Sequence, residues 1–120
     1  MTVINIEWEE EVAEFFRSLG INRGIGDVQY RLILIVLSSN GVGKITNFSE
    51  IRKYTDQLVE RGSIASKMKT VIQLEGLAKK VGRGEYVITE KGAIAADFIE
   101  KSSRYYRSVK GTMERVERIP

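Results

Sequence analysis

The sequence GLAKKVGRGEYVITEKG, residues 76–92, constrains the fold more than any other part of the chain. Two short runs of strand-forming residues, 77–81 and 85–89, are separated by the tripeptide GRG. A short connection that contains glycine is typical of a β-hairpin. Thr89 then offers a side-chain oxygen to the free backbone N–H groups of a following helix, which makes it a predicted N-cap. We therefore expect two antiparallel strands that run directly into a helix.

An amphipathic helix is predicted near the N-terminus, over residues 7–19. Its apolar residues recur at helical spacing, and its glutamates lie in the first turns, where they complement the helix dipole. The apolar side consists of Trp8, Val12, Phe15, Phe16 and Leu19. Because this side carries three large aromatic rings, it has to be covered, either by the rest of the domain or by a second subunit.

A second helix is predicted over residues 28–39, with Asp27 as its N-cap. Its run LILIVL is apolar on every face, so this helix is expected at the centre of the core. A short strand over 44–46 follows, and Asn47 with Glu50 fits a capping box. The helix that starts there is expected to end near residue 60 and to bury one side, which consists of Phe48, Ile51, Tyr54 or Thr55, Leu58 and Val59.

Ser63 is the predicted N-cap of a further helix that continues to about residue 75. Helical spacing places two groups of residues on opposite faces. One face is apolar and consists of Ile64, Met68, Val71 and Ile72. The other face is polar, has no acidic residue, and consists of Ser66, Lys67, Thr70 and Gln73.

The longest helix is predicted from residue 90 to about 110, with its pattern continuing to 116. Residues three or four apart form a stripe that resembles a coiled-coil seam. This stripe consists of Ala95, Phe98, Ser102, Tyr105, Val109, Met113 and Val116. The N-terminal and C-terminal helices carry more apolar surface than one small domain covers, so they are the expected dimer interface. The predicted interface residues are Trp8, Phe15, Phe16, Phe98, Tyr105 and Val109.

Composition bounds the function. A chain of 120 residues favours one domain spanning residues 1–120. The absence of cysteine and histidine excludes disulfides, thiolate chemistry, imidazole bases and the usual zinc ligands. We therefore expect no enzymatic activity, no catalytic residues, no metal and no cofactor. No apolar run reaches the roughly 20 residues that a membrane span needs, and no signal-peptide pattern is present, so a cytoplasmic location without membrane contact is expected.

Charge is distributed unevenly along the chain. Residues 1–20 carry five glutamates against one arginine, whereas residues 44–110 carry fourteen Lys or Arg against eight acids. A basic middle behind an acidic N-terminal arm indicates one surface that faces a polyanion.

The predicted order of elements, helix, short strand, helix, helix, strand, strand, helix, is the winged-helix arrangement. The chain resembles regulators of the MarR, ArsR and PadR type. The resemblance rests on LEGLAKKVGRGEYVITEKG, residues 74–92, and extends as element order over residues 27–92. It implies an α+β, mainly α fold: a winged helix-turn-helix with an extra N-terminal helix, 7–19, and a long C-terminal dimerisation helix, 90–116.

The resemblance also implies a DNA-binding site. The helix that begins at Ile64 would lie in the major groove, where base edges are distinguishable. Arg83, at the tip of the hairpin, would enter a minor groove or hold a phosphate. The base-facing residues would be Ser66, Lys67, Thr70 and Gln73, and the further backbone contacts would be Arg61, Lys69, Lys79 and Lys80.

The leading functional expectation is a homodimeric, sequence-specific transcriptional regulator that binds double-stranded DNA, from a prokaryotic source such as an archaeon. One alternative is an architectural protein that coats DNA with little sequence choice, similar to small archaeal winged-helix chromatin proteins. The Arg-poor helix face favours that alternative. A second alternative is a winged-helix protein-interaction module of a larger assembly, favoured by the acidic N-terminal helix. A small-molecule effector is left open.

Overall fold

The computed structural model describes residues 4–58 and 62–120. The protein is α+β and mainly helical, as the sequence predicts, and its strands form one antiparallel sheet. In chain order the described part contains α1 (Ile6–Ser18), a 3-10 turn (Gly24–Gly26), α2 (Val28–Asn40), β1 (Ile45–Asn47), α3 (Phe48–Thr55), α4 (Ile64–Lys67), a π-helical segment (Met68–Gln73), β2 (Ala78–Gly82), β3 (Glu85–Ile88) and α5 (Glu90–Arg118). The π-helical segment continues α4, and the two together are called the 64–73 helix below.

Three of the predicted N-caps are confirmed. The side chain of Asp27 accepts from the backbone N–H groups of Gln29 and Tyr30, and thereby starts α2. Ser63 accepts from Ser66 N at the start of α4. Thr89 accepts from Gly92 N at the start of α5. Each oxygen satisfies a backbone donor that has no partner within the first turn.

The predicted capping box at Asn47 and Glu50 is wrong. Within the described residues, the Asn47 side chain makes no capping hydrogen bond. Asn47 ends strand β1, and the Glu50 carboxylate instead accepts from Asn40 Nδ2 at 3.0 Å. The backbone N–H of Phe48 donates to Gly84 O at 2.8 Å. The hairpin turn therefore satisfies a donor of α3 and fixes the start of this helix.

Helix α3 ends at Thr55, before the predicted end near residue 60. Ile51, Thr55 and Leu58 are buried as predicted, whereas Phe48 and Tyr54 are half-buried. The expected burial of Val59 and the expected phosphate contact of Arg61 lie outside the described residues.

The hairpin predicted from residues 76–92 is confirmed. Strand β3 is central and pairs antiparallel with both β1 and β2. In this register Lys79 lies opposite Val87, and Lys80 lies opposite the buried Tyr86. Since neighbouring residues of a strand point to opposite faces, Lys79 and Lys80 lie on different sides of the sheet.

Helix α2 lies at the centre of the core, as its all-apolar run predicts. Leu32, Ile33, Leu34 and Leu37 are fully buried. Ile33, Leu34 and Leu37 pack with buried residues of α3, the 64–73 helix, β3 and α5, namely Ile51, Met68, Ile72, Ile88 and Ile99. Leu32 packs in a separate cluster with Ala13, Val28 and Leu58. The apolar face of the 64–73 helix is thus turned inward, which leaves its polar face at the surface.

Helix α5 packs on α1 and α2. Its buried residues are Gly92, Ala96, Ile99, Ser102 and Tyr106. Of the stripe predicted from the sequence, only Ser102 belongs to this buried face. Phe98 and Tyr105 are 58% and 57% exposed. Because residues of a helix advance by about 100° each, the two sets form neighbouring faces of one helix. The predicted stripe is therefore mostly a second, exposed face.

Arg31 is buried with no exposed surface, which the sequence did not indicate. Its Nε donates to Glu9 Oε1 at 2.9 Å in a buried ion pair between α2 and α1. Its other nitrogens donate to Ile25 O, Ile99 O, Ser102 Oγ and Ser103 Oγ. Burial lowers the pKa of Arg31, and the Glu9 carboxylate opposes that shift. One guanidinium thus joins α1, α2, α5 and the 3-10 turn.

No helix in the described part of the chain is long and apolar enough to cross a membrane.

Candidate nucleic-acid interface

The 64–73 helix presents a polar face that is only partly accessible. Ser66, Lys69 and Thr70 are exposed, while Gln73 is half-buried. The hydroxyl of Thr70 donates to Ser66 O at 2.8 Å, so its proton is used within the helix. Ser66 and Thr70 therefore offer hydroxyl acceptors at the surface, and Lys69 offers a free ammonium.

The sequence pattern implies that Lys67 can contact a base edge, but in the structure its ammonium is held by another residue of the chain. Its side chain is half-buried, and its ammonium forms an ion pair with Oδ2 of Asp27. Oδ1 of the same carboxylate caps α2. The polar face has no acid of its own in sequence, but the folded chain brings one to it from another element. Sequence reasoning missed this contact because the two residues are 40 positions apart.

The C-terminal end of the 64–73 helix is attached to the start of α5. Lys91 Nζ donates to Glu75 O at 2.7 Å, and the hydroxyl of Thr89 donates to Gly76 O at 2.6 Å. Leu77 N donates to Ile72 O at 2.9 Å, a bond that spans five residues. The bond to Ile72 O satisfies a carbonyl group that the helix end leaves free, and the other two bonds satisfy carbonyl groups of the turn that follows. They also fix the position of the helix relative to the hairpin.

The hairpin turn places Arg83 at an exposed tip. Gly84 adopts a φ of 67°, in the left-handed region that glycine accepts without steric cost. Lys79 and Lys80 on β2 are exposed as well. The hairpin therefore carries three cations within a few residues.

Apart from Lys67, the cations of the hairpin and of the 64–73 helix have no acidic partner within ion-pair distance in the described part of the chain. Lys69, Lys79, Lys80 and Arg83 form no ion pair there, whereas three exposed cations on other helices pair with an acid four residues away. Lys79 and Lys80 lie on different sides of the sheet, so at most three of these four cations can share one surface. Cations without an acidic partner raise the local potential and attract a polyanion.

The aromatic residues of α1 are covered by the protein's own C-terminal helix. The rings of Trp8 and Phe15 lie 5.4 and 4.8 Å from that of Tyr106, and Phe16 stacks on Tyr105 at 6.5 Å. Of the two coverings that the sequence left open, α5 of the same chain supplies one, and Trp8 and Phe15 remain half-buried. Leu19 is exposed, contrary to prediction, because α1 ends at Ser18 and the chain turns away.

The hydroxyl of Tyr106 donates to Glu11 Oε2 at 2.7 Å, and Lys110 donates to the same oxygen at 2.8 Å. These bonds lower the pKa of Glu11, with Lys110 as the largest cause. Burial, followed by the bond to Glu11, raises the pKa of Tyr106 to about 12. The cluster joins α1 to the C-terminal half of α5, whereas the hairpin is attached to the first turn of that helix.

The remaining predicted interface residues, Phe98, Tyr105 and the half-buried Val109, lie on α5. Phe98 borders a groove of about 930 Å³ between α5, the 3-10 turn and the 64–73 helix. Leu74, which is 79% exposed, lines the same groove from the opposite side. The groove is lined both by apolar residues and by charged ones, namely Arg23, Asp27, Lys67 and Glu75, and it lies beside the exposed apolar residues of α5.

Among the described residues, no group of three or more His, Cys, Asp or Glu could hold a metal ion. Comparison of the chain with protein-family models, with curated proteins and with solved structures gives no match. Function is therefore inferred from the residues and their arrangement.

Proposed function

We propose that the protein is a winged-helix DNA-binding protein that acts as a homodimeric transcriptional regulator. The order of its elements and the sheet order β1-β3-β2, with a hairpin behind a helix of polar outer face, support this assignment. The observation that carries it is a set of cations on the 64–73 helix and the hairpin that form no ion pair with any described residue, namely Lys69, Lys79, Lys80 and Arg83. The resemblance of residues 74–92 to MarR, ArsR and PadR regulators adds to it.

In this proposal the 64–73 helix enters the major groove, and the hairpin follows the adjacent backbone. Ser66, Thr70 and Gln73 meet base edges, since hydroxyl and amide groups match the donors and acceptors displayed there. Lys69 and the one hairpin lysine, Lys79 or Lys80, on the side of the sheet that faces the DNA neutralise phosphates. Arg83 reaches a phosphate or the minor groove. The bonds from Lys91 and Thr89 hold the two DNA-contacting elements in one fixed relation.

The proposed dimer uses the exposed apolar face of α5. Ile94, Phe98 and Tyr105 are all more than half exposed and lie on one side of that helix. Together with Leu74 they form an apolar patch, which is typical of a protein interface. A two-fold axis at this patch relates the 64–73 helices of the two subunits. These helices must lie about 34 Å apart to enter successive major grooves on one side of the DNA.

A second candidate function is architectural DNA binding with little sequence choice. The ion pair of Lys67 with Asp27 favours it, because it removes the one cation on the base-facing side. The hydroxyl of Thr70 donates to Ser66 O within the helix, so its proton is not available to a base edge. Backbone contacts remain, and these carry affinity without sequence information.

The test measures binding of the purified protein to a labelled duplex by fluorescence anisotropy at several salt concentrations. Replacement Arg83→Ala should weaken binding and reduce the slope of log K against log salt by about 0.9. Lys101→Ala is the matched control, because it removes one exposed charge that is paired with Asp97 on α5. It should leave the slope unchanged.

Competition with unrelated DNA separates the two candidates. A regulator retains binding to its preferred duplex in an excess of random competitor, whereas an architectural protein releases the labelled duplex in proportion to competitor. Failure of the unmodified protein to bind any duplex at low salt contradicts both.

A further inference from the structure

The C-terminal part of α5 projects from the rest of the protein. Helix α5 has 29 residues, and its last buried residue is Tyr106. Every residue from 112 to 120 is exposed. The molecule measures 58 Å along one axis and 25 Å along the other two. The projecting turns therefore present side chains that contribute nothing to the core.

Four arginines lie on one face of the second half of α5, and two of them, Arg115 and Arg118, belong to the projecting turns. Two of them precede Gly111, Arg104 by seven residues and Arg107 by four. The other two follow it, Arg115 by four residues and Arg118 by seven. Residues at these separations share one face of an α-helix. All four are exposed, and the face extends over about 21 Å of helix.

The arginines have few acidic partners. Arg104 lies 3.5 Å from Glu100 in an exposed ion pair, and Arg107 lies over the Trp8 ring. Within the described residues Arg115 and Arg118 form no ion pair. Cations in the last helical turn complement the helix dipole, but that effect falls off within one turn and does not account for Arg104 and Arg107.

Gly111, at the centre of the arginine face, packs against nothing within the described part of the chain. A Cβ atom added there would have no heavy atom within 4 Å, and its φ is not positive. Glycine is a poor helix former, so Gly111 destabilises α5. No contact within the described part of the chain requires a glycine at this position. A residue without a side chain allows another backbone to approach closely.

We propose that this face of α5, centred on Gly111, is a second binding surface for duplex DNA, with one phosphate backbone lying against the helix. Guanidinium groups donate two parallel hydrogen bonds to phosphate, and four of them on one face match a row of phosphates. The proposal deepens the proposed DNA binding and rests on it for the identity of the polyanion.

A second copy of the chain fits this face poorly. Two such faces brought together would oppose arginine with arginine, which is repulsive. The exposed apolar residues Phe98 and Tyr105 lie on a different face, about 120° or more around the helix from Gly111 at the centre of the arginine face. A dimer formed through the apolar patch therefore leaves the arginine face free for DNA.

The two DNA contacts lie at opposite ends of α5. The hairpin and the 64–73 helix are attached to its first turn through Thr89 and Lys91. The arginine face begins about 14 residues later, so it lies about 21 Å or more along the axis. One protein chain would thus bind two segments of DNA phosphate backbone. The two segments would belong either to one long DNA site or to two separate duplexes.

The test compares variants of the full chain in binding to a mixed-sequence duplex of about four helical turns. Arg115→Ala with Arg118→Ala should reduce the salt slope by about 1.8, because each phosphate that is no longer neutralised lowers the slope by about 0.9. Gly111→Leu should weaken binding severalfold, because the side chain blocks the approach. Gly111→Ala serves as the folding control and should leave the melting temperature unchanged or higher.

Three results decide the proposal. If Arg83→Ala weakens binding and the α5 variants do not, the second surface is overturned while the proposed function stands. If the α5 variants weaken binding and Arg83→Ala does not, the α5 surface stands and the hairpin site fails. If the α5 variants change the molar mass by light scattering instead, the face contacts a second copy and the proposal is overturned.

Discussion

Lys67 and Asp27 form an ion pair that joins the proposed DNA-contacting helix to the start of α2. The carboxylate performs two tasks, because one oxygen accepts from the backbone of α2 and the other accepts from the lysine. DNA that approaches the 64–73 helix therefore competes with Asp27 for the Lys67 ammonium.

Replacement Asp27→Asn should increase affinity for duplex DNA severalfold. Asparagine is as good an N-cap as aspartate, so α2 should keep its start, while the loss of charge releases Lys67. Fluorescence anisotropy measures the change. The same replacement in a Lys67→Ala background is the control, and an equal gain there would contradict the release of Lys67 and indicate a general charge effect.

Replacement Arg31→Met should lower the free energy of unfolding by about 3–5 kcal/mol, because it leaves the Glu9 carboxylate buried without its partner. The double replacement Glu9→Met and Arg31→Met should recover a substantial part of that loss. Urea unfolding followed by circular dichroism measures both. Lys101→Met, which breaks an exposed pair with Asp97, should cost only about 0–1 kcal/mol. An effect of Arg31→Met as small as this control would contradict the proposed role of the buried pair.

Local signals in the sequence predicted the hairpin and three helix caps, because each depends on residues within a few positions of one another. The partners of Arg31 come from α1, α5 and the 3-10 turn, and no local pattern relates them. In the sequence alone Arg31 is consequently an ordinary polar residue before an apolar run. The Lys67 and Asp27 pair escapes prediction for the same reason.

The face of α5 that packs on the core could not be chosen from periodicity. Ala95 with Phe98 and Ala96 with Ile99 have the same spacing, so both fit a helical stripe. The choice depends on the partner surface. A Cβ at Gly92 would lie 1.9 Å from Leu77 O, so this glycine permits close contact with the hairpin and determines which side of α5 faces inward.

The stability of the protein should fall between pH 10 and pH 12 through Tyr106. Its pKa of about 12 lies above the usual value near 10, so the folded state retains the proton longer than the unfolded state. The stabilisation is complete below pH 10 and is lost as the pH rises through 12. Lys110, whose pKa is raised first of all by its hydrogen bond to Glu11, acts in the same direction.

Replacement Tyr106→Phe isolates the contribution of the tyrosine. Between pH 9 and about pH 11.5 the unmodified protein should lose about 1–2 kcal/mol more unfolding free energy than the variant. Urea unfolding at the two pH values measures the difference. Parallel losses in both proteins would show that Tyr106 does not titrate as its environment indicates.

Replacement Phe98→Asp should convert the proposed dimer to a monomer. Phe98 is 58% exposed and borders the groove opposite Leu74, so a charge at this position places an unpaired carboxylate in the apolar patch. The fold should be retained, because substitutions at exposed positions usually change stability by no more than about 0.5 kcal/mol. Light scattering after size-exclusion chromatography measures the molar mass. Val42→Asp, at a similarly exposed apolar residue in the turn after α2, is the matched control and should leave the dimer intact. The same mass for Phe98→Asp and the unmodified protein would exclude this face of α5 as the interface.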